Sequence, residues 1–451
     1  MNYLIIGNGA AGITAAETIR QHDPRGQITI LSAEPSLMYS RPGLAYVISG
    51  EIPPQQVIAR TREWYADLRL ELVYGRAQSL DVYNRLVMLA DGRVLPYHKL
   101  LIATGARAVP APYPGNDLDG VVYLDTLEGT KELLKKARRG QRGVVIGGGI
   151  TALEMVEGLT QRGVNTHYFL RRDRLWSQVF NEAESRLLAE KMHHHGVHIH
   201  TNTEAAEILG NWRHNVRAVR LQNGKEFKCN LFGVAIGVKP QLELVKNTPI
   251  QTDRAILVNE QMQSNVPDVY AAGDCAQVYD RWSGQHLLDV LWPSAIAEGR
   301  TAALNMVGQT TPYVKGIPFN ACLLFGLHIT IIGQISPDPK AKDDFAEIQH
   351  LSRGSSEVWF TFPRHYQSAW AKSGPHTLRL ALGGGNGNGR EGHGRTIVGA
   401  LIMGEQTLAD PLRTLIENQV DASPLLPYLQ SDRETLGREI KNLSLSVIRN
   451  P

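Results

Sequence analysis

Two glycine-rich turns, each set between an apolar strand and a helix-forming run, precede a C-terminal third rich in alternating strands. Together they predict an α/β chain: two Rossmann-like dinucleotide-binding domains plus a C-terminal α+β interface domain. The first turn is Gly7-Asn8-Gly9-Ala10-Ala11-Gly12, directly behind Tyr3-Leu4-Ile5-Ile6. The second is Gly147-Gly148-Gly149-Ile150-Thr151-Ala152, directly behind Gly143-Val144-Val145-Ile146. One such loop says little. Two imply two nucleotides in one protein, because glycines let the backbone approach a pyrophosphate whose charge rests on the helix N-terminus. The chain has 451 residues, and at roughly 150 residues per domain about three domains are expected. The first nucleotide domain is placed at 1–112 and 242–315, the second at 113–241, and the α+β domain at 316–451.

Composition narrows the class. Hydrophobic residues make up 43% and charged residues 20%, the balance of a globular protein, and a net charge of +3 provides no basic field for nucleic acid. No apolar run approaches the about 18 residues of a membrane helix. The chain opens directly on a strand, which leaves no room for a signal peptide, so a cytoplasmic location is expected. Cys229, Cys275 and Cys322 show no CxxC spacing. That argues against a disulfide framework, an iron–sulfur cluster held by this chain, or a redox dithiol.

Behind the first turn, Ile13–Arg20 reads as a helix with small residues facing a sheet. Gln27–Leu31 is the next strand, ending near Glu34, about 20 residues past the last glycine, where an acid hydrogen-bonds a ribose. Leu100–Gly105, with Thr104-Gly105 at its end, and Asp268–Asp274, ending in Gly273-Asp274, read as two further strands closed by tight turns. On these segments the chain resembles the two-dinucleotide-domain flavoproteins, which include NAD(P)H-dependent rubredoxin and ferredoxin reductases. The resemblance implies FAD at the first turn, with Asp274 on its ribityl chain.

The strand after the second turn, Asn165–Phe169, leads into Leu170-Arg171-Arg172. An NADH site would usually end this strand with an acid. Leu170 stands there instead, and Arg171 and Arg172 can hold a 2′-phosphate through forked, charge-assisted bonds. The donor is NADPH or NADH, and the arginines favour NADPH. By resemblance, Glu154 lies close to where the two rings meet and is the catalytic candidate, positioning the nicotinamide or tuning the flavin; the other reading is an ordinary polar residue on an amphipathic helix. Val234–Pro240, carrying Gly237, mirrors the Thr104-Gly105 turn and marks the crossing back into the first domain.

In disulfide-reductase relatives the flavin-facing cysteine lies in the stretch following the ribose acid. Here that stretch is Pro35–Tyr46, and no cysteine occurs before Cys229. Tyr46 stands near the place of a lysine that pairs with the second-domain glutamate in ferredoxin reductases. Arg41-Pro42 does match, which makes Arg41 a flavin-side candidate. Leu291–Arg300 resembles the segment whose helix N-terminus points at the flavin pyrimidine ring, a dipole that favours negative charge on reduced flavin. Trp292 could line the acceptor side or be a core aromatic.

From Ile317 the fingerprints stop. Phe319–Gly333 alternates like a strand pair; Val358–Phe362, Leu378–Leu382 and Thr396–Gly404 read as strands, and Ala409 to about Asn418 as a helix. Gly383–Arg395 reads as a flexible hairpin tip. Pro411–Asn418 and Asp421–Pro427 resemble the FAD portion of nitrite reductase large subunits, whose siroheme and iron–sulfur modules are missing. His193-His194-His195, His198 and His200 read as a solvated helix end running into a strand, not a metal centre. The tail, Thr435–Arg449, reads as a helix packed on the protein.

The expected reaction is hydride transfer from nicotinamide C4 to flavin N5, then release of electrons to an external carrier such as rubredoxin or ferredoxin. The alternatives are an NAD(P)H oxidase or quinone reductase, and a non-catalytic flavoprotein subunit or scaffold of a larger complex. A homodimer through the C-terminal domain is plausible.

Overall fold

The computed structural model describes residues 1–280, 285–333, 335, 356–361, 377–383, 396–428 and 433–449. Its first sheet is parallel and five-stranded. The strands run in the order Val269–Ala271, Lys99–Ile102, Asn2–Ile6, Gln27–Ser32, Leu70–Tyr74. The order reverses at Asn2–Ile6, with Ile5 paired to Ile30 on one side and to Leu101 on the other. Continuous burial of Leu4, Ile5, Ile30, Leu100 and Leu101 explains why these strands read as apolar runs and not as alternations. The helix Ala10–His22 begins inside the glycine turn, three residues earlier than Ile13. It packs against the helix Trp292–Met306, where a Cβ on Gly299 would stand 2.2 Å from the Ala11 carbonyl oxygen.

The second sheet repeats the plan: His198–His200, Asn165–Phe169, Arg142–Ile146, Leu231–Val234, with Val121–Tyr123 at the far edge, all parallel. The helix Ile150–Gln161 follows its central strand. Between the sheets the chain crosses twice, and the crossings, Ala106–Ala108 and Val238–Pro240, pair antiparallel. The Thr104 hydroxyl donates to the Gln241 carbonyl at 3.0 Å, and the Gln241 amide returns a bond to the Thr104 carbonyl at 2.8 Å.

The third sheet is antiparallel, in the order Phe319–Leu324, Leu327–Gly333, Thr396–Met403, Thr377–Gly383, Ser356–Thr361. Phe325 and Gly326 make the first hairpin turn, both with positive φ (50° and 74°), the conformation a two-residue hairpin needs. Gly383 pairs with Thr396, so the glycine-rich segment joins two hydrogen-bonded strands, while 384–395 itself lies outside the described residues. One face of the sheet carries the helices Ala409–Glu417 and Arg433–Arg449 over Leu380 and Ile402. In the terminal helix Leu436 and Ile440 are buried and Leu443 and Val447 pack beside them, the spacing read from the tail. The other face packs on the second sheet's unit, joining Leu401 and Met403 to Phe180 and Leu188. Among the described residues no helix is long and apolar enough to cross a membrane.

Candidate functional site

The carboxyl ends of the first sheet's strands open into a cleft of about 790 Å³, walled also by the start of helix Ile150–Gln161, by residues 290–293 and by Phe319, Asn320 and Ala321. Gly7, Gly9, Ala10, Ala11, Glu34, Arg41, Pro42, Thr104, Gly105, Gly273, Asp274 and Trp292 all line it, together with Ile150 and Glu154 from the second unit. Gly12 lies beneath the turn. Gly147, Gly149, Arg171, Arg172 and Gly237 fall outside this lining.

The glycines of the first turn have separate jobs. Gly7 has φ +125°, and a Cβ there would meet the Ala103 carbonyl oxygen at 2.0 Å, so this residue fixes the turn itself. Gly9 has ordinary extended angles (φ −94°, ψ −168°) and nothing within 4 Å of its missing Cβ. Its empty space faces the cleft, a cradle that a side chain would fill. The second turn copies this: Gly147 at φ +139° would place a Cβ 2.1 Å from the Ala235 carbonyl oxygen, while Gly149 is open.

Helix starts give an independent sign. The helices at Arg62, Leu127 and Glu182 carry side-chain caps from Thr61, Thr126 and Asn181. The helices at Ala10, Ile150 and Trp292 have no side-chain cap and no acid in their first turn. Their leading N–H groups are left to an outside acceptor, and all three starts open on the cleft. Uncapped amides beside an open glycine fit the phosphates of a dinucleotide.

Glu34 sits at the end of its strand as expected, and its carboxylate is already held. Arg41 Nη2 donates to Oε1 at 2.6 Å and the Tyr39 hydroxyl donates to Oε2 at 2.8 Å. Arg41 also donates to the Asp125 carbonyl and lies over the Tyr39 ring. Asp274 is pushed up by burial, with Arg41 pulling the other way. The Gly273 N–H donates to Glu298 at 2.7 Å, which ties the Gly273-Asp274 turn to helix Trp292–Met306, and burial pushes that carboxyl well above the usual range.

At the second turn, Leu170 is 2% exposed and donates its N–H to the His200 carbonyl. The strand therefore stays hydrogen-bonded past Phe169, and Arg171 and Arg172 emerge at the carboxyl edge of the sheet, where ligands of such sheets bind. His193 and His194 are exposed at the end of their helix. His198 instead stacks on His167, whose Nδ1 is 3.0 Å from His200 Nε2. His167 was not part of the sequence pattern.

Glu154 is half-buried on the cleft wall, and burial, then the charge of Glu157, raises it to about 7. Glu157, one turn on, is raised to about 6 and accepts the Phe325 N–H at 2.6 Å. All three cysteines are free, and the Cys322 thiol beside these acids is pushed up to about 12, the wrong direction for a nucleophile.

The family profile of pyridine nucleotide-disulphide oxidoreductases matches residues 1–299, and the chain belongs to this family. It is 32% identical over 331 residues to the biphenyl dioxygenase system ferredoxin–NAD(+) reductase component of Paraburkholderia xenovorans, covering 73% of this chain and 80% of that one. It is 30% identical over 318 residues to an NADH oxidase of Methanocaldococcus jannaschii, covering 68% and 70%. The crystal structure of the covalent putidaredoxin reductase–putidaredoxin complex superposes with a TM-score of 0.82 at 22% identity, over 98% of both chains, which shows a shared fold. The chain is thus an FAD-dependent NAD(P)H oxidoreductase, built without the cysteine pair in the family's name.

Proposed function

We propose that this member of the pyridine nucleotide-disulphide oxidoreductase family oxidises NADPH, or NADH, and sends the electrons to a small external carrier of ferredoxin or rubredoxin type, with no disulfide relay. The observation that carries this reading is the single cleft on which two uncapped helix starts from two different sheets converge with no cysteine in its lining. Bound FAD would supply the centre that accepts a hydride and gives up electrons.

The chain's own residues supply position and charge. Gly7, Gly9 and the amides of Ala10 and Ala11 hold the FAD pyrophosphate, Glu34 its ribose, and Asp274 its ribityl chain. The dipole of helix Trp292–Met306 favours negative charge at the cleft's inner end. Gly147, Gly149 and Ile150 hold the second pyrophosphate, and Arg171 and Arg172 a 2′-phosphate. The Methanocaldococcus relative favours one second reading, in which dioxygen is the acceptor.

Anaerobic mixing with each nucleotide decides the donor. NADPH is expected to bleach the flavin faster than NADH. Converting Arg171 and Arg172 to alanine should raise KM for NADPH by about tenfold to a hundredfold, the worth of one charge-assisted bond, with little change for NADH. Equal effects on both nucleotides would defeat the NADPH assignment. Bleaching by neither would defeat the function. Rapid reoxidation by air, unmatched by ferredoxin or rubredoxin, would select the oxidase.

A further inference from the structure

The net chemistry of the proposed function releases a proton. Each NAD(P)H gives two electrons to two one-electron acceptors, and the hydrogen that carried them leaves as H⁺. The hydrogen arrives in a cleft walled by two sheets' units and by the strand Phe319–Leu324.

Glu154 stands on that wall. Glu157 follows at i+3 on the same helical face, where Cβ atoms lie about 5–6 Å apart. It points into the seam between helix Ile150–Gln161 and the third sheet, where it takes the Phe325 N–H of the hairpin turn. His195, exposed at the neighbouring helix end, lies against the Phe325 ring at 5.4 Å and within electrostatic reach of Glu157, as does Glu51. Tyr46, 41% exposed, and Cys322 complete the titratable groups that face the pair. The line thus runs from the cleft, through one helical turn, to groups in contact with water.

Burial makes two carboxyl groups expensive in a seam otherwise packed with Leu153, Val156 and Leu324. The Phe325 N–H accounts for one oxygen of Glu157, and Glu154 has no comparable bond among the described residues. Both acids are raised by burial into the range where a group can take and give a proton near neutral pH, Glu154 to about 7 and Glu157 to about 6.

We propose that Glu154 and Glu157 form a proton path from the cleft to solvent. This rests on the proposed function. The proton freed in the cleft bonds to a Glu154 carboxylate oxygen, passes to Glu157, and leaves at the Glu51 and His195 end. The two electrons go one each to two acceptor molecules. Glu157 touches no nucleotide and acts through Glu154.

The test uses the FAD-loaded protein and Glu157→Gln, whose amide oxygen still accepts the Phe325 N–H. With NADPH or NADH as donor and ferricyanide as acceptor, an indicator dye follows proton release in stopped flow. The variant should release protons and turn over about tenfold or more slowly, as for loss of a proton-transfer group. Its anaerobic bleaching rate should match the wild type, and added formate or imidazole should restore the lost rate. Infrared titration of the oxidised protein, without donor, reads the pair independently of turnover. The Glu154 carboxyl band should titrate near pH 7, and Glu157→Gln should lower that midpoint by removing a neighbouring negative charge. Wild-type proton release in the variant, or an unmoved Glu154 midpoint, overturns the path. If neither nucleotide bleaches the wild-type flavin, the proposed function fails, and the infrared midpoint still decides the pair.

Discussion

Replacing Arg379 with methionine is expected to destabilise the protein by about 3–5 kcal/mol, the cost of stranding one partner of a buried ion pair. Arg379, on strand Thr377–Gly383, donates Nε to Glu184 Oε1 at 3.1 Å and Nη2 to Oε2 at 3.2 Å, and it also bonds the Val179 carbonyl. Both residues are 1% exposed. Glu184 is further committed, because it closes a capping box with Asn181 at the start of helix Glu182–His194. Removing the guanidinium leaves a carboxylate buried in the packed interface of the second and third sheets' units without its two charge-assisted bonds. The double variant, Glu184→Met with Arg379→Met, should recover most of the loss, short of about 1 kcal/mol for the cap. Denaturant midpoints by circular dichroism, compared among the three proteins, check this. A single variant as stable as the wild type would show that the pair contributes nothing. The same loss should slow flavin reduction, since this interface seats the strand that walls the cleft.

That pair also marks where reading the chain runs out. Glu184 and Arg379 are 195 residues apart, and nothing local to either announces the other. Phe319, Asn320 and Ala321 reach the cleft in the same way, through a fold that brings a distant strand onto it. Glu298 was passed over because a buried acid bonded to a backbone N–H looks, in sequence, like any polar residue on a helix. The glycine turns were legible for the opposite reason. Their pattern is local: the strand ends at Ile6 and the helix starts within the turn at Ala10, so strand, turn and helix appear together in a dozen residues, although the atom that Gly7 must avoid belongs to the distant Ala103. Glu34 was legible by spacing. Tyr39, five residues on, was missed because a tyrosine that bonds such an acid has no fixed distance from it. At Leu170 the structure adds only burial and the bond to the His200 carbonyl.

The contrast between Gly7 and Gly9 supports the last prediction, the separate deletion of each nucleotide. Gly9→Asp should leave a folded protein without flavin. The backbone at Gly9 suits any residue, the added Cβ meets no atom within 4 Å, and aspartate is a favoured N-cap, so helix Ala10–His22 loses nothing. Yet, on the proposed assignment, the carboxylate would take the amides that hold the pyrophosphate and repel its charge. Losing even one or two charge-assisted bonds costs about 3 kcal/mol or more, a hundredfold or greater rise in the FAD Kd. Gly149→Asp applies the same change at φ −109° and ψ −173°, also into open space. It should retain full flavin absorbance and fail to be bleached by NADPH or NADH, while dithionite still reduces it. Gly7→Ala, with a Cβ 2.0 Å from the Ala103 carbonyl oxygen, should instead disturb the sheet itself and lower the melting temperature of the flavin-free protein, which Gly9→Asp leaves unchanged. If Gly149→Asp loses flavin, or Gly9→Asp keeps it, the assignment of the two turns to two different nucleotides is wrong, because each substitution acts only on the phosphate that its own helix start receives.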